Sequence, residues 1–418
     1  MRLVFWIAFA AVAAVAAVTL GRDDEPDREV RAAAPAPAPL LAIDGLRDAE
    51  TVLVRLRPAT LKRVGEPIPI HDWLWSSAWA PDRRRIALSA DGAIQVVDTK
   101  RWRKTATIRL DRRAYRLAWP TPRRILALGG QHRGGHTVLV IDPVARRVVQ
   151  RLEVAGQEIG DGFRPTAAGF AMLVGPPDRI GPATLALVSA DGGVRRVPLE
   201  GIRGGFESPD FEEDPYRPGR QHVPGLAIDE AGERLYVVSA DDGAVVTVGA
   251  RDGTAVRHEP AERRTALARL RDLLDPPAEA KGSYGPWRTA VMIGHVLAVT
   301  GHDAKRAHRV EPAGLTLIDT RAWTAEKVGD DLSTVQVAGG AFIAGEDVAG
   351  GLVALDPDGS KRFEVMPGRS AWVQAAGERL YADAAGPSRT HVIDAGTGRV
   401  IRRLPPGDAP VLIPPPFR

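Results

Sequence analysis

The chain has 418 residues, 44% of them hydrophobic, which is enough for a substantial core in one large all-β domain or in two or three ordinary domains. Its 56 basic and 52 acidic residues leave a formal charge of +4, and the basic residues, mostly arginine, form no block, so nothing points to nucleic acid. It has no cysteine, which excludes disulfides, thiolate metal ligands, a cysteine nucleophile and a lipid anchor on cysteine.

Residues 3–20, "LVFWIAFAAVAAVAAVTL", carry no charge and are followed by the polar "GRDDEPDREVR". Such a run lies between the short apolar core of a cleaved signal and the roughly 20 residues that span a bilayer. Residues 1–21 therefore read as a signal peptide or an N-terminal membrane anchor, and Ala13, Ala14, Ala16 and Ala17 offer small residues for cleavage. A charged and Pro/Ala-rich linker over 22–39 ends in "AAAPAPAP" from Ala32, an extended, semi-rigid spacer. The rest of the chain, 40–418, is expected outside the cytoplasmic membrane, secreted or anchored. Arg2 precedes the apolar run and no second run follows to bring the chain back.

From about Leu40 the chain repeats itself. The clearest copies are "TVLVIDPVARRVVQRLEV" from Thr137, "GLTLIDTRAWTAEKV" from Gly314, "GLVALDPDGSKRFEV" from Gly351 and "THVIDAGTGRVIRRL" from Thr390. Each is a strand ending in aspartate, a short turn and a second strand. Weaker copies start at Thr51, Ala93, Thr184 and Ala244, which makes eight hairpins. Ahead of most lies another hairpin whose turn leads into an apolar strand, as in "APDRRRIALS", "PTPRRILALG" and "DEAGERLYVVS". Two hairpins in series make a four-stranded blade. The strand-ending aspartates Asp98 and Asp142 are 44 residues apart, Asp319 and Asp356 37, and Asp356 and Asp394 38, the period of propeller blades. A single β-propeller of seven or eight four-stranded blades is predicted, because one blade cannot bury both its faces and a closed ring can. The N-terminal hairpin at Thr51 lacks a preceding partner, so "APVLIP" from Ala409 should pair into the blade begun near Leu40 and close the ring.

"RLYVVSADDGAVVTV" from Arg234, "LTLIDT" ending at Thr320 and "VIDAGTGRV" ending at Val400 resemble the YVTN-type repeats of β-propeller proteins, with a looser likeness to WD-repeat propellers. The resemblance covers most of the chain after the linker. It implies a fold and no activity.

The phrase Ser-Ala-Asp recurs at Ser89, Ser189 and Ser239. Two copies join the second strand of a blade to the third, and one joins a third to a fourth, so the phrase alternates between faces of the disc. It reads as turn chemistry rather than as a repeated site. Asp98, Asp142, Asp319, Asp356 and Asp394 are expected to accept hydrogen bonds from the amides of the turns that follow them, and not to ring a cation. Quinoprotein dehydrogenases are propellers too, but in "DAGTGRV" at Asp394 the docking tryptophan's place is taken by Arg402, so a quinone is discounted and no cofactor is expected. His132 and His136, and His295, His302 and His308, read as surface histidines rather than as metal ligands.

Two insertions exceed the repeat minimum. "GGFESPDFEEDPYRPGRQH" from Gly204 crowds Glu207, Asp210, Glu212, Glu213 and Asp214 beside Phe206, Phe211 and Tyr216. A second begins at Pro260, where Leu267, Leu270, Leu273 and Leu274 recur at helical spacing, Arg263, Arg264, Arg269 and Arg271 fill much of the remainder, and Pro276 and Pro277 stop a short helix predicted over 260–275. Extra loops on a rigid scaffold carry function. The candidate binding residues are therefore Phe206, Glu207, Asp210, Phe211, Glu212, Glu213, Asp214, Tyr216, Arg263 and Arg264. The chain reads as an extracytoplasmic, monomeric binding or scaffold module for a protein or small ligand, touching membrane only through its N-terminal segment. The alternative is a propeller hydrolase or lyase that acts on a lactone, sugar or cyclic peptide at the central tunnel, which requires acids and histidines from several blades to converge there.

Overall fold

A computed structural model describes residues 40–44, 51–58, 60–70, 74–90, 92–132, 134–207, 220–262, 285–304, 310–346, 351–366, 371–384, 390–404 and 411–413. The N-terminal segment and linker lie outside them, as does most of the helix predicted over 260–275. At the start of that stretch Ala261–Glu262 is a short strand, not helix, and pairs in parallel with Thr324 and Ala325. Among the described residues no helix is long and apolar enough to cross a membrane.

The described residues form eight sheets, each built on four antiparallel strands, and the chain is an all-β propeller of eight blades. We number the blades along the chain, from blade 1 at Leu40 to blade 8 ending at Arg403. Each first strand lies innermost and packs beside its neighbours' first strands: Ser76–Trp79 in blade 2, Ala114–Thr121 in blade 3, Gln157–Pro165 in blade 4, Gly225–Ile228 in blade 5 and Trp287–Ile293 in blade 6. The ring closes as expected. Val411–Ile413 is the first strand of blade 1, with Leu41 opposite Ile413, Ala42 opposite Leu412 and Ile43 opposite Val411. The hairpin at Thr51 supplies that blade's third and fourth strands, but its second arm is Ile68–Ile70, and Arg63 makes only an isolated bridge to Leu56.

Burial grades outward because a blade is sandwiched between two others. Middle strands are apolar on both faces, as in "GFAMLVG" at Gly169–Gly175, where every residue is buried. Outer strands alternate with solvent, as in Arg103–Arg109. The core divides into eight apolar clusters, each at one blade-to-blade interface. The two that flank blade 1 contain Leu412 and Ile413 respectively, so the C-terminal strand belongs to both.

The recurrent serine proves to have two uses. Gly92, Gly192 and Gly243, which follow the three Ser-Ala-Asp phrases, all adopt positive φ, between 67° and 92°, as turn residues should. Ser189 and Ser239 hydrogen-bond within their own turns. Ser89 is different: its Oγ donates to the Ala114 carbonyl in the first strand of the next blade. Thr300, midway along the second strand of blade 6, donates to the Leu332 carbonyl of blade 7 at 2.7 Å. These hydroxyls are struts between blades. Of the strand-ending aspartates, Asp98, Asp142, Asp319 and Asp394 each accept from two amides of the following turn. Asp356 instead takes the Arg362 guanidinium.

Candidate functional site

Antiparallel strands give the ring two rims. The upper rim carries the starts of the first strands and the turns from second to third strand; the lower rim carries the other two sets of turns. Both insertions lead from a fourth strand to the next first strand, so both return to the upper rim, in consecutive connections. Before the first insertion, the outer strand of blade 4, Val194–Glu207, runs on beyond its blade and pairs with Arg220–His222. Phe206 sits there half-buried opposite Gln221, and Glu207 is exposed. Asp210, Phe211, Glu212, Glu213, Asp214, Tyr216, Arg263 and Arg264 lie outside the described residues.

The far ends of the two insertions are joined to each other. The Val223 amide donates to the Pro286 carbonyl at 2.9 Å, and the Arg288 amide donates to the Val223 carbonyl at 2.8 Å. A Cβ on Gly285 would stand 1.7 Å from the Gln221 carbonyl oxygen, so this approach admits only glycine. Trp287 stacks on His302, with ring centroids 5.3 Å apart. Arg288 reaches Asp303 at 2.5 Å and the His302 carbonyl at 2.8 Å. Beside them His222 is buried, its Nε2 3.2 Å from Asp241 Oδ2 but not aligned for a hydrogen bond. Burial depresses its pKa, and Arg203 and Arg288 add to that effect against the pull of Asp241. Burial thus favours the neutral form of the ring.

An ion network on the innermost strands of blades 3 and 4 adjoins this rim. In the inner strand of blade 4, Glu158 pairs with Val174 and Phe163 with Met172, so the four residues 159–162 bulge opposite one. Gly160, at φ 55°, lets the bulge press against Val223, the residue that joins the insertions. The bulge carries Asp161 to within 2.8 Å of Arg116 and 3.4 Å of Arg164, and Arg116 is also 3.5 Å from Glu158. Burial raises the Glu158 pKa, and Arg116 opposes that rise. The network crosses from one blade to the next and locks the bulge in place.

Behind it, the Glu158 amide donates to His136 Nε2 at 3.0 Å, and the Tyr115 hydroxyl is 2.5 Å from Nδ1. An amide can only donate, so Nε2 is unprotonated and the proton of the neutral ring sits on Nδ1, facing Tyr115. Burial, with added repulsion from His132, lowers the His136 pKa to about 4. The unfolded chain, with an ordinary histidine, binds the proton more readily. Stability should therefore fall as pH drops from about 6.5 towards 4, by up to about 3 kcal/mol from this residue. Denaturant unfolding of the wild type and of His136→Gln across that window should show a shallower decline in the variant.

The histidines do not converge, and His136, expected at the surface, is buried between blades 3 and 4. His132 pairs with Glu153 at 2.6 Å, His295 lies 3.9 Å from Asp319, His302 stacks on Trp287, and His308 is outside the described residues. Among the described residues no three His, Asp or Glu side chains form a group that could hold a metal ion. Arg116, Glu158, Asp161, Arg164, His222 and Arg288 were not singled out by the sequence. The signal that could have found some of them is "EIGDG" at Glu158, where two glycines inside an inner strand mark a bulge.

No family model matches the chain, and no curated protein matches it. A solved structure of a dihydro-heme d1 dehydrogenase, NirN, in complex with DHE aligns over 93% of this chain and 76% of its own at 12% identity, with a TM-score of 0.55. The two share a fold. A solved structure of BamB from Moraxella catarrhalis aligns over 81% of this chain and 91% of its own at 11% identity, with a TM-score of 0.45, too low to add to the fold assignment.

Proposed function

We propose that this chain is an extracytoplasmic, non-enzymatic binding or scaffold module, exported or tethered through residues 1–21, and that the upper rim over blades 4 to 6 is its docking site for a protein or other ligand. The observation that carries this reading is the pair of backbone hydrogen bonds between Val223 and the segment Pro286 to Arg288. They fix the ends of both insertions to one another on a rigid ring, which is how a scaffold presents two loops as one surface. The loops' sequences suit a partner. In sequence, one concentrates Glu207, Asp210, Glu212, Glu213 and Asp214 around Phe206, Phe211 and Tyr216, and the other carries Arg263 and Arg264. Aromatic and arginine anchors among charged residues are the usual composition of an interface centre.

The test is positional. A photo-reactive residue at Glu207 or Gln221 should trap a discrete polypeptide in the producing cell, while the same residue at Glu378, in a lower-rim turn of blade 8, should not. Identical trapping at the two rims, or none at the upper one, would contradict the assignment.

A further inference from the structure

The net charge of +4 hides a strong segregation. Residues 74–155, blades 2 and 3 with their connections, hold 17 basic residues against 6 acidic, a surplus of 11, so the remainder of the chain is net acidic by 7. Much of the surplus lies on the lower rim, away from the insertions. In blade 2 the first turn exposes Arg83 and Arg84, and the second exposes Lys100 and Arg101. In blade 3 the matching turns expose Arg123, then Arg146 and Arg147. The acids among them, Asp82, Asp98 and Asp142, are each engaged by turn amides. At the tip of the last turn, beside Arg146 and Arg147, stands Val144, 70% exposed and the most exposed large apolar side chain among the described residues.

The chain also enters the ring on this rim. Leu40 pairs with Leu56, next to Arg57 in the lower turn of blade 1. That turn is fastened to blade 2: Arg55 lies over the Trp102 ring at 4.1 Å, and Trp102 Nε1 donates to the Glu66 carbonyl at 2.6 Å. Between the apolar run ending at Leu20 and Leu40 there are 19 residues, which reach at most about 65 Å when extended. A cationic surface with a protruding valine, on the rim from which an apolar N-terminal segment departs, matches a bilayer of anionic lipid in charge, apolar content and location.

We infer that the lower rim of blades 1 to 3 is a second membrane contact, resting on the phosphate headgroups of anionic lipids with Val144 at its tip. The contact is lopsided, because the same turns in blade 5 carry Asp229, Glu230, Glu233 and Asp252 against Arg251. The ring leans onto the bilayer by its basic side, and the insertion rim faces away from it. The inference uses the N-terminal segment as a tether and does not depend on what docks at the upper rim.

The absence of cysteine makes the test clean. Val144→Cys and, as a control, Glu207→Cys are each labelled with an environment-sensitive fluorophore in the full-length chain, reconstituted into vesicles of phosphatidylcholine alone or of an equal mixture with phosphatidylglycerol. The label at 144 should shift to the blue and be quenched by a lipid-borne nitroxide on the mixed vesicles only, and the effect should fade in high salt as screening shortens. The label at 207 should not respond. Substituting Arg83, Arg101, Arg123 and Arg147 with Glu in the 144-labelled chain, with thermal unfolding checked to match the wild type, should weaken the contact by about five-fold or more per cation lost. Equal signals on both vesicle types would overturn the inference. So would a label at 144 that ignores vesicles and responds instead to added polyglutamate, which would assign the rim to an acidic protein.

Discussion

Deleting residues 409–418 should open the ring and lower the thermal midpoint by many degrees, the largest effect expected of any small change here. The strand removed is three residues long, Val411–Ile413, but it occupies the innermost place of blade 1. Leu412 packs in the apolar cluster toward blade 8 and Ile413 in the cluster toward blade 2. The Leu412 amide also donates to the Gln374 side chain of blade 8 at 2.9 Å. Losing the burial of two large aliphatic residues alone costs about 3–6 kcal/mol. It also strips Leu41, Ala42 and Ile43 of their backbone partners. Because the strand joins the first blade to the last, the loss falls on the closure that holds every other interface in register. Differential scanning calorimetry of the truncated chain checks this; an unchanged midpoint would mean that the ends do not seal the ring.

Arg116→Ala should destabilise the protein by about 3–5 kcal/mol near neutral pH, because it leaves the Glu158 carboxylate buried without its cation. Both side chains are only 12% exposed, so solvent does little to compensate. The effect has a sign in pH. Without Arg116, burial and the neighbouring Asp161 act on Glu158 against Arg164 alone, and its pKa in the folded state rises further above the unfolded value. A group raised in this way gives up stability as pH climbs, so the deficit should be larger at pH 8 than at pH 5, about the range in which a buried acid releases its proton. Replacing Glu158 with Gln in the same chain should recover part of the loss. Urea unfolding of the three proteins at both pH values measures all of this; equal deficits at the two pH values would show that the Glu158 carboxylate is not what Arg116 compensates.

The ring was legible in the sequence because blades repeat locally. Asp98, Asp142, Asp319 and Asp394 each mark the same turn, and the unmatched hairpin at Thr51 was enough to send the C-terminus back to Leu40. Blade 1's fourth strand was hard to read, since "LKRV" from Leu61 looks like a returning arm and the true arm, Ile68–Ile70, is interrupted by Pro69. Contacts between blades were far less legible. Ser89 was read as turn chemistry, yet it lies in a strand and its bond to Ala114 joins residues that only the ring's curvature brings together. The pairing of Arg116 with Glu158 and Asp161 likewise depends on a bulge whose size no periodicity gives. Charge segregation was in the sequence from the start, spread over residues 74–155, and became a surface only when the turns of two blades were placed side by side. Of the candidate binding residues, Phe206 and Glu207 are described, and they stand where the first insertion leaves the ring.

The proposed docking rim is tested most directly by replacing Glu212, Glu213 and Asp214 with alanine in a chain that carries the photo-reactive residue at Glu207. If these acids face a partner, trapping from Glu207 should be lost while the free energy of unfolding stays within about 0.5 kcal/mol of the parent. Undiminished trapping together with a clear loss of stability would contradict the binding site and leave the insertion as a brace between blades.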